Sequence, residues 1–192
     1  MKTILYLHGF ISSPASRKAV MLGDYVRGQA PGVEYLVPAL HHRPAEAIAQ
    51  VHAVCDERHP ADLLVVGSSL GGFYATVAAE RAGCRAVALN PAVHPQRHFE
   101  RYLGPQQNLY TGERFDLTPG HVAELAAIDP PAITRPDRYW LIVETGDEVL
   151  DYRQAVAKYA GARQVVLEGG DHSFTRWPDY LDEVLRFAGL LT

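Results

Sequence analysis

Cysteine is scarce in this chain. There are two in 192 residues, Cys55 and Cys84, far apart and outside any C-x-x-C spacing. A single disulfide between them is conceivable, but two reduced, buried thiols in a cytoplasmic protein are the simpler reading. A basic stretch is also missing. The 18 lysines and arginines are outnumbered by 22 aspartates and glutamates, for a formal net charge of -4, so there is no footprint for nucleic acid. No apolar run approaches the length needed to span a bilayer. The opening residues Met1 to Gly9 do not read as a signal peptide, because their apolar run is short and feeds directly into a His-Gly turn. Internal repeats, low-complexity segments and linkers are absent as well. What remains is ordinary globular composition, 47% hydrophobic and 21% charged. The length suits one domain, residues 1–192, with a full core. The expectation is a soluble cytoplasmic protein with no nucleic-acid or membrane partner; its oligomeric state is not legible.

The apolar runs are short and alternate with helical patterns. Ile4 to Leu7, Val33 to Val37, Leu63 to Val66, Ala86 to Leu89, Tyr139 to Val143 and Gln164 to Leu167 read as strands. Helices are predicted from Ala15 to Arg27 (capped from Ser12-Ser13-Pro14), Ala45 to Arg58, Phe73 to Arg81, Tyr152 to Tyr159 and Trp177 to Phe187. This alternation predicts an α/β fold, a mostly parallel sheet with helices on both faces. Between residues 91 and 137 the pattern dissolves into prolines, glycines and scattered aromatics, with one short helix from Pro119 to Ala127. That segment is too long for a plain connection and reads as a small cap over a pocket, with Leu103, Leu109, Tyr110, Phe115 and Leu117 as its apolar surface.

A parallel sheet binds its ligand at the carboxyl ends of its strands, and the chemistry-bearing residues fall there. Gly67-Ser68-Ser69-Leu70-Gly71 follows one strand and precedes a helix. It fits G-x-S-x-G, the nucleophile elbow of α/β-hydrolases. A serine at the tip of so sharp a turn leaves almost no room for side chains two positions either side. Ser69 meets that condition and Ser68 does not. Asp147 follows the Tyr139 strand, and His172, in Gly169-Gly170-Asp171-His172, follows the last strand. The order Ser69, Asp147, His172 is that of an acyl-transfer triad in this fold. Glu144, Glu148 and Asp151 lie near Asp147 in sequence; Asp151 looks placed to cap the next helix. His8-Gly9-Phe10 ends the first strand, where the second oxyanion-hole donor belongs. That nominates the backbone amides of Phe10 and Leu70, with His8 as a structural residue.

These stretches, with Asn90-Pro91-Ala92-Val93, Tyr110-Thr111-Gly112 and Thr145 to Tyr152, resemble the small bacterial YqiA-type esterases of the α/β-hydrolase superfamily, over almost the whole chain. The resemblance implies a compact α/β-hydrolase lacking the leading antiparallel strands, with a Ser69, Asp147, His172 triad. It implies esterase activity on small carboxylic esters or thioesters, with no metal and no cofactor. An acyl-thioester or amide hydrolase on the same triad, or a catalytically idle binding protein, are the alternatives. Asp171 stands where similar sequences often carry asparagine, and a carboxylate there would favour the imidazolium form of its neighbour. His41, His42, His52 and His59 fit no metal-ligand spacing. Arg17 and Lys18 follow the oxyanion turn and could meet an anionic group; a solvated helix face is the plainer reading.

Overall fold

Runs of large apolar residues with no polar alternation must be covered on both faces. β1 (Thr3–Leu7), β3 (Leu63–Ser68) and β7 (Tyr139–Glu144) are buried at every position. Successive side chains enter opposite cores: Leu5 and Leu7 on one face, Ile4 and Tyr6 on the other. In this computed structural model, which describes residues 1–191, these strands join β2 (Glu34–Leu36), β4 (Arg85–Leu89) and β8 (Arg163–Leu167). Thr192, the last residue of the expected domain, lies outside the described residues. Among the described residues the sheet has six strands, all parallel, in the order β2-β1-β3-β4-β7-β8.

One core lies under α1 (Arg17–Gln29) and α7 (Leu181–Phe187), through Leu22, Val26, Val184 and Leu185. The other packs α2 (Pro44–Asp56), α3 (Leu70–Ala82), α5 (Pro119–Ile128) and α6 (Tyr152–Lys158) against the opposite face. This is an α/β-hydrolase fold. The strand order reverses direction between β1 and β3, so the loops leaving those two strands part and open a crevice.

Most boundaries shift by one or two residues, as at α2 and β2, and three differences have a local cause or mark the site. α1 starts at Arg17, because Ser13 Oγ accepts the Ala15 amide (3.1 Å) and closes a local turn instead of capping the helix. α3 starts at Leu70, immediately after the elbow. The last helix is preceded by a tighter 3-10 turn at Trp177–Tyr180. Residues 91–137 also hold more structure than the sequence suggested. α4 (Gln96–Phe99) is followed by an antiparallel hairpin of β5 (Gly104–Gln107) and β6 (Arg114–Leu117). Asn108 organises its turn: Oδ1 accepts the Tyr110 and Thr111 amides, and Nδ2 donates to the Ser12 carbonyl (2.8 Å). No helix of the described residues is long and apolar enough to cross a membrane.

Candidate active site

Ser69 occupies a backbone conformation that L-residues rarely adopt, φ 57° and ψ -122°, between the end of β3 and the start of α3. The flanking glycines make it possible. A Cβ on Gly67 would collide with the Gly71 carbonyl, and one on Gly71 with the Leu7 carbonyl at the end of β1. Neighbouring strands hold the strained residue in place: its amide donates to Leu89 (3.0 Å), and its carbonyl accepts from Gly72 (2.9 Å) and Ala92 (3.0 Å).

The Ser69 Oγ lies 3.0 Å from His172 Nε2, and His172 Nδ1 lies 2.8 Å from Asp147 Oδ2. With Nδ1–H donating to the carboxylate, Nε2 is the free acceptor facing the hydroxyl. Asp147 is nearly sealed from solvent, and its other oxygen accepts the amides of Val149 and Leu150, each at 2.8 Å. Burial alone would push this carboxyl up. The hydrogen bond from His172, the two backbone amides and the imidazole's charge outweigh that and hold it below the usual carboxylate range.

The other acidic residues nearby have separate tasks. Asp151 Oδ1 caps α6 through the Arg153 amide (3.0 Å). Glu148 Oε2 accepts the His172 amide (3.0 Å), fixing the histidine's backbone rather than its ring. Glu144, fully buried, accepts the Asp171 amide (2.8 Å) and lies 3.4 Å from Arg176 Nε. The Asp171 carboxylate turns to the Phe174 amide (3.0 Å), so what it binds is backbone.

Asn90 escaped the sequence reading as a working residue. It sits at the end of β4 with φ 37°, accepts the Glu144 amide (2.9 Å) and donates to the Asp171 carbonyl (3.1 Å). It thereby ties the acid strand to the histidine loop. A buried asparagine directly after a strand was the available signal.

Phe10 and Leu70, nominated for their backbone amides, line one cavity with Ser69, and neither amide bonds to an acceptor among the described residues. The approach is close: a Cβ on Gly9 would stand 3.3 Å from the Ser69 Cβ. His8, buried behind them, lies 3.0 Å from the Gly9 carbonyl through Nδ1 and accepts the Leu40 amide at Nε2 (3.1 Å). Burial lowers its pKa, consistent with a neutral brace.

In front of Ser69 opens a cavity of about 400 Å³. Leu70, Val149 and Leu150 wall it from the sheet side, and Phe99, Tyr102 and Gln106 from the cap. The expected apolar cap residues divide: Phe115 and Leu117 pack inward, whereas Leu103, Leu109 and Tyr110 are exposed. Phe10 stacks edge-on with Phe99 (5.0 Å) and Phe115 (6.0 Å). His42 stacks between His41 and Phe115 and lies 3.2 Å from His121. Among the described residues no group of three or more His, Cys, Asp or Glu is placed to hold a metal ion. Cys55 and Cys84 are free and buried. Arg17 lies outside the cavity, but Lys18 lines it.

Residues 3–189 match the model of the uncharacterised protein family UPF0227. The UPF0227 protein YE1706 of Yersinia enterocolitica is 23% identical over 189 residues, 97% of this chain and 99% of that protein. Among solved structures, mouse alpha/beta hydrolase domain-containing protein 10 superposes with a TM-score of 0.70 at 17% identity, covering 96% of this chain and 89% of the other. The monoacylglycerol lipase of Paleococcus ferrophilus gives 0.66 at 14% identity, covering 97% and 93%. These likenesses establish the α/β-hydrolase fold.

Proposed function

The chain belongs to the UPF0227 family, and we propose that it is a serine esterase acting on small carboxylic esters, thioesters included, in the cytoplasm. The observation that carries this reading is the unbroken relay from Ser69 Oγ through His172 to Asp147, at 3.0 and 2.8 Å. The likeness to a lipase is in keeping with it.

In the first half-reaction His172 Nε2 takes the Ser69 proton as Oγ attacks the carbonyl carbon. The Phe10 and Leu70 amides donate to the oxygen as it becomes an oxyanion. Loss of one such donor costs about 2.7–4 kcal/mol of transition-state stabilisation. Collapse of the tetrahedral intermediate breaks the bond to the alcohol or thiol, which leaves with the proton held on His172. Water then attacks the acyl-Ser69 ester, giving its proton to His172, and the second collapse returns that proton to Ser69 Oγ and releases the acid. Asp147 keeps Nδ1 as the donor throughout and stabilises the imidazolium formed in each half. This chemistry calls for no metal and no cofactor.

The test is hydrolysis of para-nitrophenyl butyrate together with labelling by a fluorophosphonate probe. Wild-type protein is expected to do both and Ser69→Ala neither, with an unchanged circular dichroism spectrum; Ser68→Ala should keep the label. Turnover that survives in Ser69→Ala would overturn the assignment. Matched oxygen and sulfur esters then set the preference between ester and thioester.

A further inference from the structure

Net charge in this chain is negative, yet the cavity in front of Ser69 is lined by no aspartate or glutamate. Its basic lining is Lys18, His98, Arg101 and His172. Two of these are cations without an ion-pair partner among the described residues. Lys18 Nζ donates to a single acceptor, the Ser173 carbonyl (2.7 Å), beside the catalytic histidine. Arg101 has only His98 Nδ1 (3.0 Å). An ammonium has three donors, so Lys18 keeps hydrogen-bonding capacity for the cavity.

The nearby carboxylates do not use that capacity. Asp147 faces His172 and two amides, Asp171 faces the Phe174 amide, and Glu144 faces the Asp171 amide. Lys18 is also partly withdrawn from water. Burial lowers its pKa, opposed by the charges of Asp171, Asp147 and Glu144. A partly desolvated cation gains more from an anion brought in with the substrate than an exposed one would, because less water competes for it.

We propose that the substrate is an ester carrying a fixed negative charge, bound directly by Lys18 and drawn in by Arg101 on the cap. This rests on the esterase reading, and it makes Lys18 a specificity residue rather than part of a solvated helix face. Lys18 also touches the residue after His172, so a purely positioning role must be told apart. Such a role would lower turnover of charged and neutral esters alike; recognition changes their ratio.

The experiment compares two matched pairs. On the alcohol side they are para-butyryloxybenzoate and its neutral carboxamide; on the acyl side, monophenyl glutarate and its terminal amide. For each pair the ratio of kcat/KM, charged over neutral, is measured in wild type, Lys18→Met, Lys18→Arg and Arg101→Gln. Dividing the wild-type ratio by the variant ratio cancels the intrinsic reactivity of the esters. In one pair the ratio is expected to drop on the order of tenfold or more in Lys18→Met, recover in part in Lys18→Arg, and drop about threefold in Arg101→Gln. The wild-type rate on the charged ester should also fall with added salt. The pair that responds tells which side of the scissile bond carries the charge. Unchanged ratios in both pairs overturn the proposal, and Arg101→Gln decides the matter if Lys18→Met does not fold. If wild-type protein hydrolyses none of the four esters, the esterase reading fails. Chemical-shift titration with the same esters then tests the anion site separately: tighter binding of a charged member, lost in Lys18→Met, supports it, and equal binding overturns it.

Discussion

The sheet with its elbow and the cap of residues 91–137 form two sides of one cavity, but they are built differently. On the sheet side the key groups are placed by backbone. Ser69 is fixed by amide and carbonyl contacts to β4 and α3, and its turn exists because side chains are absent at Gly67 and Gly71. The cap is assembled from side chains. Asp129, at the end of α5, accepts from Lys158 (2.8 Å), His94 (2.5 Å) and Gln96 (2.9 Å), with the two charged partners Asp129 and Lys158 almost sealed from solvent. The His42–His121 pair and the Arg43–Glu124 ion pair join the turn that enters α2 to α5. A floor built of backbone tolerates few substitutions, whereas a roof built of side chains tolerates most of those that do not touch the floor.

The sharpest way to break this contrast is to add one methyl group to each side. Gly71→Ala places a Cβ against the Leu7 carbonyl and should abolish both folding yield and fluorophosphonate labelling. Gly120→Ala in α5 meets only the Thr118 hydroxyl at 3.3 Å and should move stability by no more than about 1 kcal/mol. Equal tolerance at the two positions would erase the distinction. Next in size are two buried aspartates. Asp147→Asn should lower kcat on the order of 10⁴-fold with little change in melting temperature. Asp129→Asn, which leaves Lys158 buried without its counter-charge, should cost about 3–5 kcal/mol of stability while kcat falls far less.

A smaller effect separates the two sides by pH. Burial, then the neighbouring cations, lower the pKa of both His42 and His121, so the fold favours their neutral forms. The stability they contribute is complete above the ordinary histidine range near 6.5 and is lost as pH falls below it through their lowered values. On the sheet side His8 is lowered in the same way and loses its contribution in the same window, whereas the lowered carboxyl of Asp147 keeps its own until pH falls below the ordinary aspartate value of 3.8. With two such histidines packed on the half-exposed cap against one behind the elbow, limited proteolysis at about pH 5.5 should cut within residues 104–128 before it cuts the sheet, and at about pH 7.5 neither. The smallest expected effect belongs to Asp171→Asn. The amide oxygen can still accept from the Phe174 amide, and kcat/KM should stay within about threefold at every pH tested. A larger shift of the profile would place that carboxylate against the imidazole after all.

The same contrast explains what the sequence revealed. The elbow, the acid turn and the histidine loop follow strands, and their glycines are dictated by steric contacts that any chain making this turn must satisfy. Position along the chain therefore sufficed to nominate Ser69, Asp147 and His172. The hairpin of β5 and β6 left no such trace, since its residues are half-exposed, include Pro105, and take their turn from Asn108 bonded to Ser12, 96 positions away. Lys18 was named beside Arg17 as able to meet an anionic group, but nothing local separated the two, because a partner 155 residues later, Ser173, sets where its ammonium goes. Asn90 was visible as a residue, but its two bonds reach Glu144 and Asp171, and only the packed sheet brings those together.

Phe10 carries two demands at one position. Its ring packs edge-on against Phe99 and Phe115 of the cap, while its amide is one of the two donors we propose for the reacting oxygen. Changes to the cap that resize the cavity press on the ring and so reach the amide. Substitutions at Phe99 or Phe115 are thus never free adjustments of substrate preference. For directed evolution of this protein, and for selection itself, the permitted paths are those in which pocket shape and the Phe10 ring change together.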